Sequence, residues 1–429
     1  MRRALLLSAS LVVVVGAVVA RALPAQPAAR PTATVEVSPA GPVRTIGDAV
    51  RRAAPGATIV VRPGVYREPT IVVDKPVTIV GDRFPVLDGE GERQIMSVVA
   101  DDVTVRGLRF RNVGTSFTED RAAIRLSDVR GCAVEGNRVD DGFFGIYLAR
   151  VSGCRIVGNV LRATKSTESM SGNGIHLWYS DGVTIAGNRV SGHRDGIYFE
   201  FVRDADVRDN VSERNLRYGL HFMYSDGCRY VGNTFRHNGS GVAVMYTKNV
   251  EMTGNDFDAN WGAAAYGLLL KEITDVRVRR NRFRGNTTAL FLDGATRPVV
   301  EANEFTGNGR AVRLDANTQD GRFAGNDFGG NTFDVTTNAR AVSSTFDGNF
   351  WDEYAGYDLN RDGVGDVPFR PVRLFSIIVE RNEPALVLLR SFFVGALDAA
   401  ERVVPSLTPE TLADAHPSMR PLHPWHPSR

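Results

Sequence analysis

Along most of this chain, apolar and polar residues alternate in short runs that are cut at regular intervals by glycine, asparagine and aspartate. Segments such as Gly219-Leu220-His221-Phe222-Met223 and Arg229-Tyr230-Val231 keep a period of two. No window of about 11 residues sustains a helical stripe, so the repeating part reads as strands. Gly136-Asn137, Gly158-Asn159, Gly187-Asn188, Gly232-Asn233, Gly254-Asn255, Gly325-Asn326 and Gly348-Asn349 mark the cuts, while Asn210, Asn281 and Asn303 keep the asparagine alone. Most neighbouring members of this series lie 22 or 23 residues apart. A unit that short cannot bury its own apolar face, so copies must stack. The pattern predicts an all-β chain folded as a right-handed parallel β-helix of about 12 coils with a repeat of ~22 residues, roughly 55 Å long at the ~4.8 Å strand spacing. Glycine and asparagine suit the bends because both tolerate positive φ, and stacked asparagines can hydrogen-bond from coil to coil.

The pattern changes outside residues 57–350. Residues 1–25 read as a secretory signal: Arg2 and Arg3, an apolar run from Ala4 to Ala20, then Ala20-Arg21-Ala22 as a cleavage site. Residues 26–56 hold an N-terminal segment and an amphipathic capping helix, Thr45 to Ala54, which would cover the open end of the stack. Residues 351–373 form an acidic loop and residues 374–429 a helical tail. In the tail, Leu386, Leu389, Phe393, Leu397, Ala400 and Val404 keep three/four spacing behind Pro384. If the repeat closes its own interior at Asn349, that helix, Pro384 to Val404, is free to dock on a membrane partner. Cys132, Cys154 and Cys228 each sit five residues before a repeat asparagine, where other coils place Val183 and Val250, so they should point inward. Cys132 and Cys154 fall on adjacent coils, as stacked buried thiols or as a disulfide. A net charge of +2, with 23% charged residues, gives no support to nucleic-acid binding.

Candidate chemistry lies on one strand of each coil. Gly174-Ile-His176-Leu-Trp178, Gly196-Ile-Tyr198-Phe-Glu200, Gly219-Leu-His221-Phe-Met223, Gly241-Val-Ala243-Val-Met245, Gly267-Leu-Leu269-Leu-Lys271 and Ala289-Leu-Phe291-Leu-Asp293 align, with the second and fourth residues apolar. The third and fifth then face outward in two columns. Met223 and Met245 stack in one column, and His221 and His176 lie in the other. Thioethers and imidazole are soft donors suited to Cu(I), so His176, His221, Met223 and Met245 are the candidate copper ligands. Two coils are longer than the rest, with repeat intervals of 29 residues from Asn159 to Asn188 and 26 from Asn255 to Asn281. Their insertions, with Met170, Trp261 and Tyr266, would wall a groove over the columns. His193 and His237 fall at turns and read as plain surface residues. In the acidic loop Asp358, Asn360, Asp362 and Asp366 surround Gly363 with the spacing of a reduced Ca²⁺ loop; Phe369 stands where a full loop needs glutamate.

Over essentially the whole mature chain these residues resemble the NosD family. The carriers are Gly174-Ile-His-Leu-Trp-Tyr179, Tyr218-Gly-Leu-His-Phe-Met-Tyr-Ser-Asp226, Gly267-Leu-Leu-Leu-Lys-Glu272 and the tail from Arg370-Pro-Val-Arg-Leu-Phe through Pro405-Ser-Leu-Thr-Pro-Glu410 to Met419-Arg-Pro421. Asn349-Phe-Trp-Asp-Glu-Tyr354 is similar to a segment of many secreted β-helix proteins. The resemblance implies a periplasmic, non-enzymatic copper-handling accessory protein held at the inner membrane by an ABC transporter. Its implied partners are the transporter's membrane subunit, nitrous oxide reductase as recipient, and a copper-donor lipoprotein. The rival reading is a carbohydrate-active enzyme, a lyase, hydrolase or epimerase acting on acidic polysaccharide, with Asp293 and Asp315 as paired carboxylates beside Lys271.

Overall fold

The computed structural model describes residues 33–116, 118–164, 167–339, 343–389, 391–403 and 412–423. The signal segment, residues 1–25, lies outside them. Each coil contributes one strand to each of three parallel sheets of 14, 13 and 12 strands, two more coils than expected in the largest. In the coil Arg229–Val231, Thr234–Arg236, Ser240–Met245, alternation sends Tyr230, Phe235, Val242 and Val244 inward. The turns between strands follow from the residues found there. At the first bend Gly232 takes φ 65° and Asn233 turns its amide inward.

The inward asparagines form a continuous ladder. Each Nδ2 donates to the next Oδ1, from Asn137 through Asn159, Asn188, Asn210, Asn233, Asn255, Asn281, Asn303 and Asn326 to Asn349, at 2.9–3.1 Å. The same amides donate to strand carbonyls, as Asn210 does to Ile185. Every buried amide is thereby paired, which is the condition for carrying polar groups inside an apolar core. A second ladder runs through Asn215, Asn238, Asn260, Asn286, Asn308 and Asn331. The residue that heads it is His193, whose amide donates to Asn215 Oδ1. His193 is therefore fully buried, not a surface residue as its turn position suggested. Burial lowers its pKa to about 4. Between the ladders, Phe235, Phe257, Phe283, Phe305, Phe328 and Trp351 stack at 4.2–5.6 Å. Cys132, Cys154 and Cys228 are buried free thiols in the inward column.

Helix α1 (Ile46–Arg52) caps the first coils, with Thr45 Oγ1 accepting from Asp48 N at 3.2 Å and Ile46, Ala49 and Val50 buried. At the other end the tail departs from the single helix expected. Helix α2 (Leu374–Arg381) is followed by a 3-10 turn (Glu383–Leu388) and helix α3 (Phe392–Val403), because Asn382 leaves helical φ/ψ before Pro384 begins the turn. Helix α2 lies on the third sheet, where Phe375 and Val379 pack with Phe333 and the nearly buried Glu380 accepts from Arg310 at 2.9 Å. The final segment, Leu412 to His423, returns to the end of the stack. Asp414 accepts from Gly348 N, Asn349 N, Asn349 Nδ2 and Trp351 Nε1 at 2.9–3.1 Å. The interior therefore does not close at Asn349. A carboxylate supplied 65 residues later completes the asparagine ladder, since its oxygens can accept where another asparagine would.

Candidate functional site

The outward columns stand as alternation required. Strand register pairs His176 with Tyr198, Tyr198 with His221 and His221 with Ala243; beside them it pairs Trp178 with Glu200, Glu200 with Met223, and Met223 with Met245. Met223 and Met245 are half-buried neighbours at the ~4.8 Å spacing of parallel strands. The two histidines have different surroundings. His176 is sandwiched between Tyr147 and Tyr198, with ring centroids at 4.4 and 4.8 Å. Asn173 Nδ2 donates to its Nδ1 at 2.9 Å, and Arg194 donates to Asn173 Oδ1, which fixes the amide's orientation. Burial, with Arg194 nearby, lowers its pKa to about 3. The ring is thus neutral, capped and separated from the methionines by Tyr198, so the structure does not bring His176 into one site with Met223 and Met245.

His221 is 7% exposed, and neither ring nitrogen has a hydrogen-bond partner among the described residues. Its Nδ1 stands 3.9 Å from Oδ2 of the fully buried Asp195. The ring packs at 4.7 Å on Tyr218 and edge-on to Tyr198 at 5.2 Å, which inclines it toward the start of its own strand. Arg217 forms a bidentate pair with Asp195 at 2.9 and 2.6 Å. Burial by itself would raise the Asp195 carboxyl, but His221 and Arg217 outweigh it and hold its pKa below the usual range. Tyr266 donates to Tyr218 at 3.3 Å, and burial pushes its hydroxyl far above the ordinary phenol. A buried imidazole beside an ionised carboxylate is the arrangement that orients a metal-ligating histidine. Sequence reading found His221, placed Tyr266 only as part of an insertion, and missed Asp195, Arg217 and Tyr218, which sit at or just before the beginnings of strands rather than in the columns.

The first insertion does wall a cleft, of about 370 Å³, over His176, Tyr198, Arg194 and Glu200, with Glu168, Ser169 and Ser171 on its rim. An opposite wall, Ser116 with Thr118 to Asp120, was not anticipated. Farther along, Asp293 accepts from Lys271 at 2.8 Å and from Asn317 at 2.9 Å, while Asp315 pairs with Arg313 at 3.3 Å. Both carboxylates of the rival enzyme reading are thus engaged in ion pairs. In the acidic loop, Asp358, Asn360, Asp362 and Asp366 accept from backbone amides of residues 359–364. Among the described residues no three His, Cys, Asp or Glu groups are placed to hold a metal together.

These features define a parallel β-helix protein whose outward face carries the stacked Met223 and Met245 and, farther along, the ion-paired Asp293 and Asp315. A family model described as "Periplasmic copper-binding protein (NosD)" matches residues 161–356. A "Probable ABC transporter binding protein NosD" of Pseudomonas aeruginosa is 33% identical over 81% of this chain and 85% of its own length. Its namesake of Stutzerimonas stutzeri is 28% identical over 81% and 84%. The chain belongs to the NosD family. Solved structures share the fold alone: a mannuronic-acid-specific polysaccharide lyase from human gut microbiota is 13% identical, with a TM-score of 0.57 over 87% of this chain and 100% of that one. A family 28 exopolygalacturonase of Yersinia enterocolitica is 10% identical, with a TM-score of 0.53 over 73% and 78%.

Proposed function

We propose that this protein is a periplasmic, non-enzymatic copper-handling factor that works with an ABC transporter to mature the copper centres of nitrous oxide reductase. Copper is its cargo. Family membership supports the copper and transporter parts, through the description of the family model and the names of the relatives. The observation that carries the site is the register pair Met223 and Met245, with His221 two residues away on the same face and unpartnered at both ring nitrogens. Two thioethers and one imidazole match the low coordination number and softness of Cu(I). Ligation by His221 requires its ring to swing from the Asp195 side toward Met223. His176 takes no part in this site. Competition against a Cu(I) chelator tests it: Met223→Ala with Met245→Ala should weaken Cu(I) binding at least tenfold, and unchanged affinity would show the site to be wrong.

The transporter contact falls to the tail. Helix α2 is consumed by the third sheet, whereas Phe392 is 93% and Val387 90% exposed, with Phe393 and Leu388 also exposed. Such a patch on a monomer marks an interaction surface. No helix among the described residues is long and apolar enough to cross a membrane, so the patch fits a groove on a membrane partner. Val387→Ser, Phe392→Ser and Phe393→Ser together should abolish co-purification with the transporter and leave Cu(I) binding intact; retained co-purification would remove the tail from the contact. Truncation at residue 376 is unsuitable as a test, because it also removes Asp414.

A further inference from the structure

Two coils carry a long connection between the 13-stranded and 12-stranded sheets, and the coil between them does not. Register pairs Arg109 with Arg138 and Val160 with Arg189, each 29 residues apart, but Arg138 with Val160, only 22 apart. The surplus of both long coils falls at the same corner, in residues 112–121 and 163–174, where the middle coil needs only residues 141–143. The described residues of these two connections form the facing walls of the cleft of about 370 Å³, and Phe143 and Phe144 of the short corner lie between them. Phe143 is left half-buried in that slot. A cavity of this size with an aromatic floor and convergent polar groups has the form of a ligand site.

Each polar group in the cleft has a defined hydrogen-bonding sense. Arg194 can only donate, so it fixes Asn173 with its oxygen toward the guanidinium and its amide toward Nδ1 of His176. The proton of this neutral ring is therefore on Nε2. Tyr147 and Tyr198 cover the two faces of the ring and Asn173 covers Nδ1, so the edge left to the cleft carries a fixed N–H donor. Tyr198 adds a second donor, because burial and the neighbouring Glu200 push its hydroxyl up to about 12 and keep it protonated. The one cation among the described lining residues, Arg194, is already engaged by Asn173 at 3.2 Å and Asp195 at 3.8 Å. On the rim, Asp120, Glu168 and Glu200 form no ion pair with a described residue and stand as acceptors. A polyanion would meet these carboxylates and no free positive charge; a cation would meet N–H and guanidinium donors at the inner end. The cleft instead suits an uncharged ligand that accepts hydrogen bonds inside, donates them at the rim and lays an apolar face on a ring. Sugar rings combine these properties, since every hydroxyl both donates and accepts and the C–H face is apolar.

We infer that this slot binds an uncharged oligosaccharide, with a sugar face on Phe143, hydroxyl oxygens accepting from Nε2 of His176 and the Tyr198 hydroxyl, and hydroxyl hydrogens directed to Glu168 and Glu200. The inference does not rest on the copper reading, since none of these residues belongs to the methionine site. The test is calorimetric titration of the full mature chain with the β-1,4-linked tetramers of glucose and of N-acetylglucosamine and, as their acidic counterpart, the tetramer of galacturonate. At least one neutral tetramer should bind, and the uronate should bind tenfold more weakly or not at all. Glu168→Gln with Glu200→Gln should weaken the neutral sugar about tenfold, as for loss of hydrogen bonds to charged acceptors, and should narrow the disadvantage of the uronate. Tyr198→Phe keeps the ring stacked on His176 and removes only the hydroxyl, so it should weaken binding several-fold with the melting temperature unchanged. If neither neutral tetramer binds more tightly than a Kd of about 1 mM, the slot is no sugar site. Uronate binding as tight as that of the neutral sugars would overturn the uncharged ligand, and parental affinity in both variants would place the sugar elsewhere and overturn the site.

Discussion

Two ladders in this molecule stack one residue per coil and behave in opposite ways. The asparagine ladder of Asn137 to Asn349 is buried, with each amide paired above, below and to a strand carbonyl. The aromatic ladder of Tyr179, Phe201, Tyr224 and Tyr246 lies at the surface and is held in a strained turn. The repeat geometry serves both, but only the first is needed to hold the coils together. Side chains that satisfy the fold recur in nearly every coil, whereas some outward-facing ones are confined to a few. Met223, Met245 and the four aromatics share that confinement.

The largest effect should come from removing the end of the buried ladder. Asp414→Ala deprives Gly348 N, Asn349 N, Asn349 Nδ2 and Trp351 Nε1 of their acceptor. Buried donors left unpaired cost ~1–3 kcal/mol each, so a total on the order of 3–5 kcal/mol is expected after partial hydration. Amide exchange at Gly348 and Asn349 should rise sharply, and unchanged exchange would make the returning segment dispensable. Asn233→Ala should cost ~2–3 kcal/mol in the ladder's interior, while Tyr224→Asn, at the same level of the stack, should leave the melting temperature equal or higher. If both destabilise alike, the contrast between the ladders does not hold.

A smaller effect concerns pH. Asp334 sits in the inward column that other coils fill with glycine or alanine, and burial raises its pKa to about 7, against a hydrogen bond from Asn331 and the positive charge of Arg373. A raised carboxyl binds its proton more tightly folded than unfolded. Its contribution is therefore complete below the ordinary carboxylate pKa of ~4 and is lost as pH rises through about 7. Thermal melts from pH 5 to 8 should fall with pH in the parent and flatten in Asp334→Asn. The smallest effect is expected in the acidic loop. Excess Ca²⁺ should raise the melting temperature slightly if Asp358, Asn360, Asp362 and Asp366 gather an ion, because binding to the native state alone stabilises it. Superimposable curves would leave the loop as a hydrogen-bonded turn.

Much of this was legible in the chain. Period-two alternation and the recurrent asparagine dictate a stacked coil, and the outward columns follow from parity alone, so Met223 and Met245 could be placed as neighbours without coordinates. The second ladder was legible too but overlooked: Asn215, Asn238, Asn260, Asn286, Asn308 and Asn331 each lie five residues after a first-ladder asparagine. His193 holds the same offset from Asn188, which is why it is buried. Other features depended on contacts between residues distant in sequence. That His176 is sandwiched between Tyr147 and Tyr198 depends on the coils above and below it, and the docking of α2 on the third sheet depends on Glu380 meeting Arg310. Asp414 reaches Asn349 only because the chain returns after two helices. Within a coil the repeat spacing specifies the neighbours. Between the coils and the segments that cover them no period exists, so only packing decided which side chains meet.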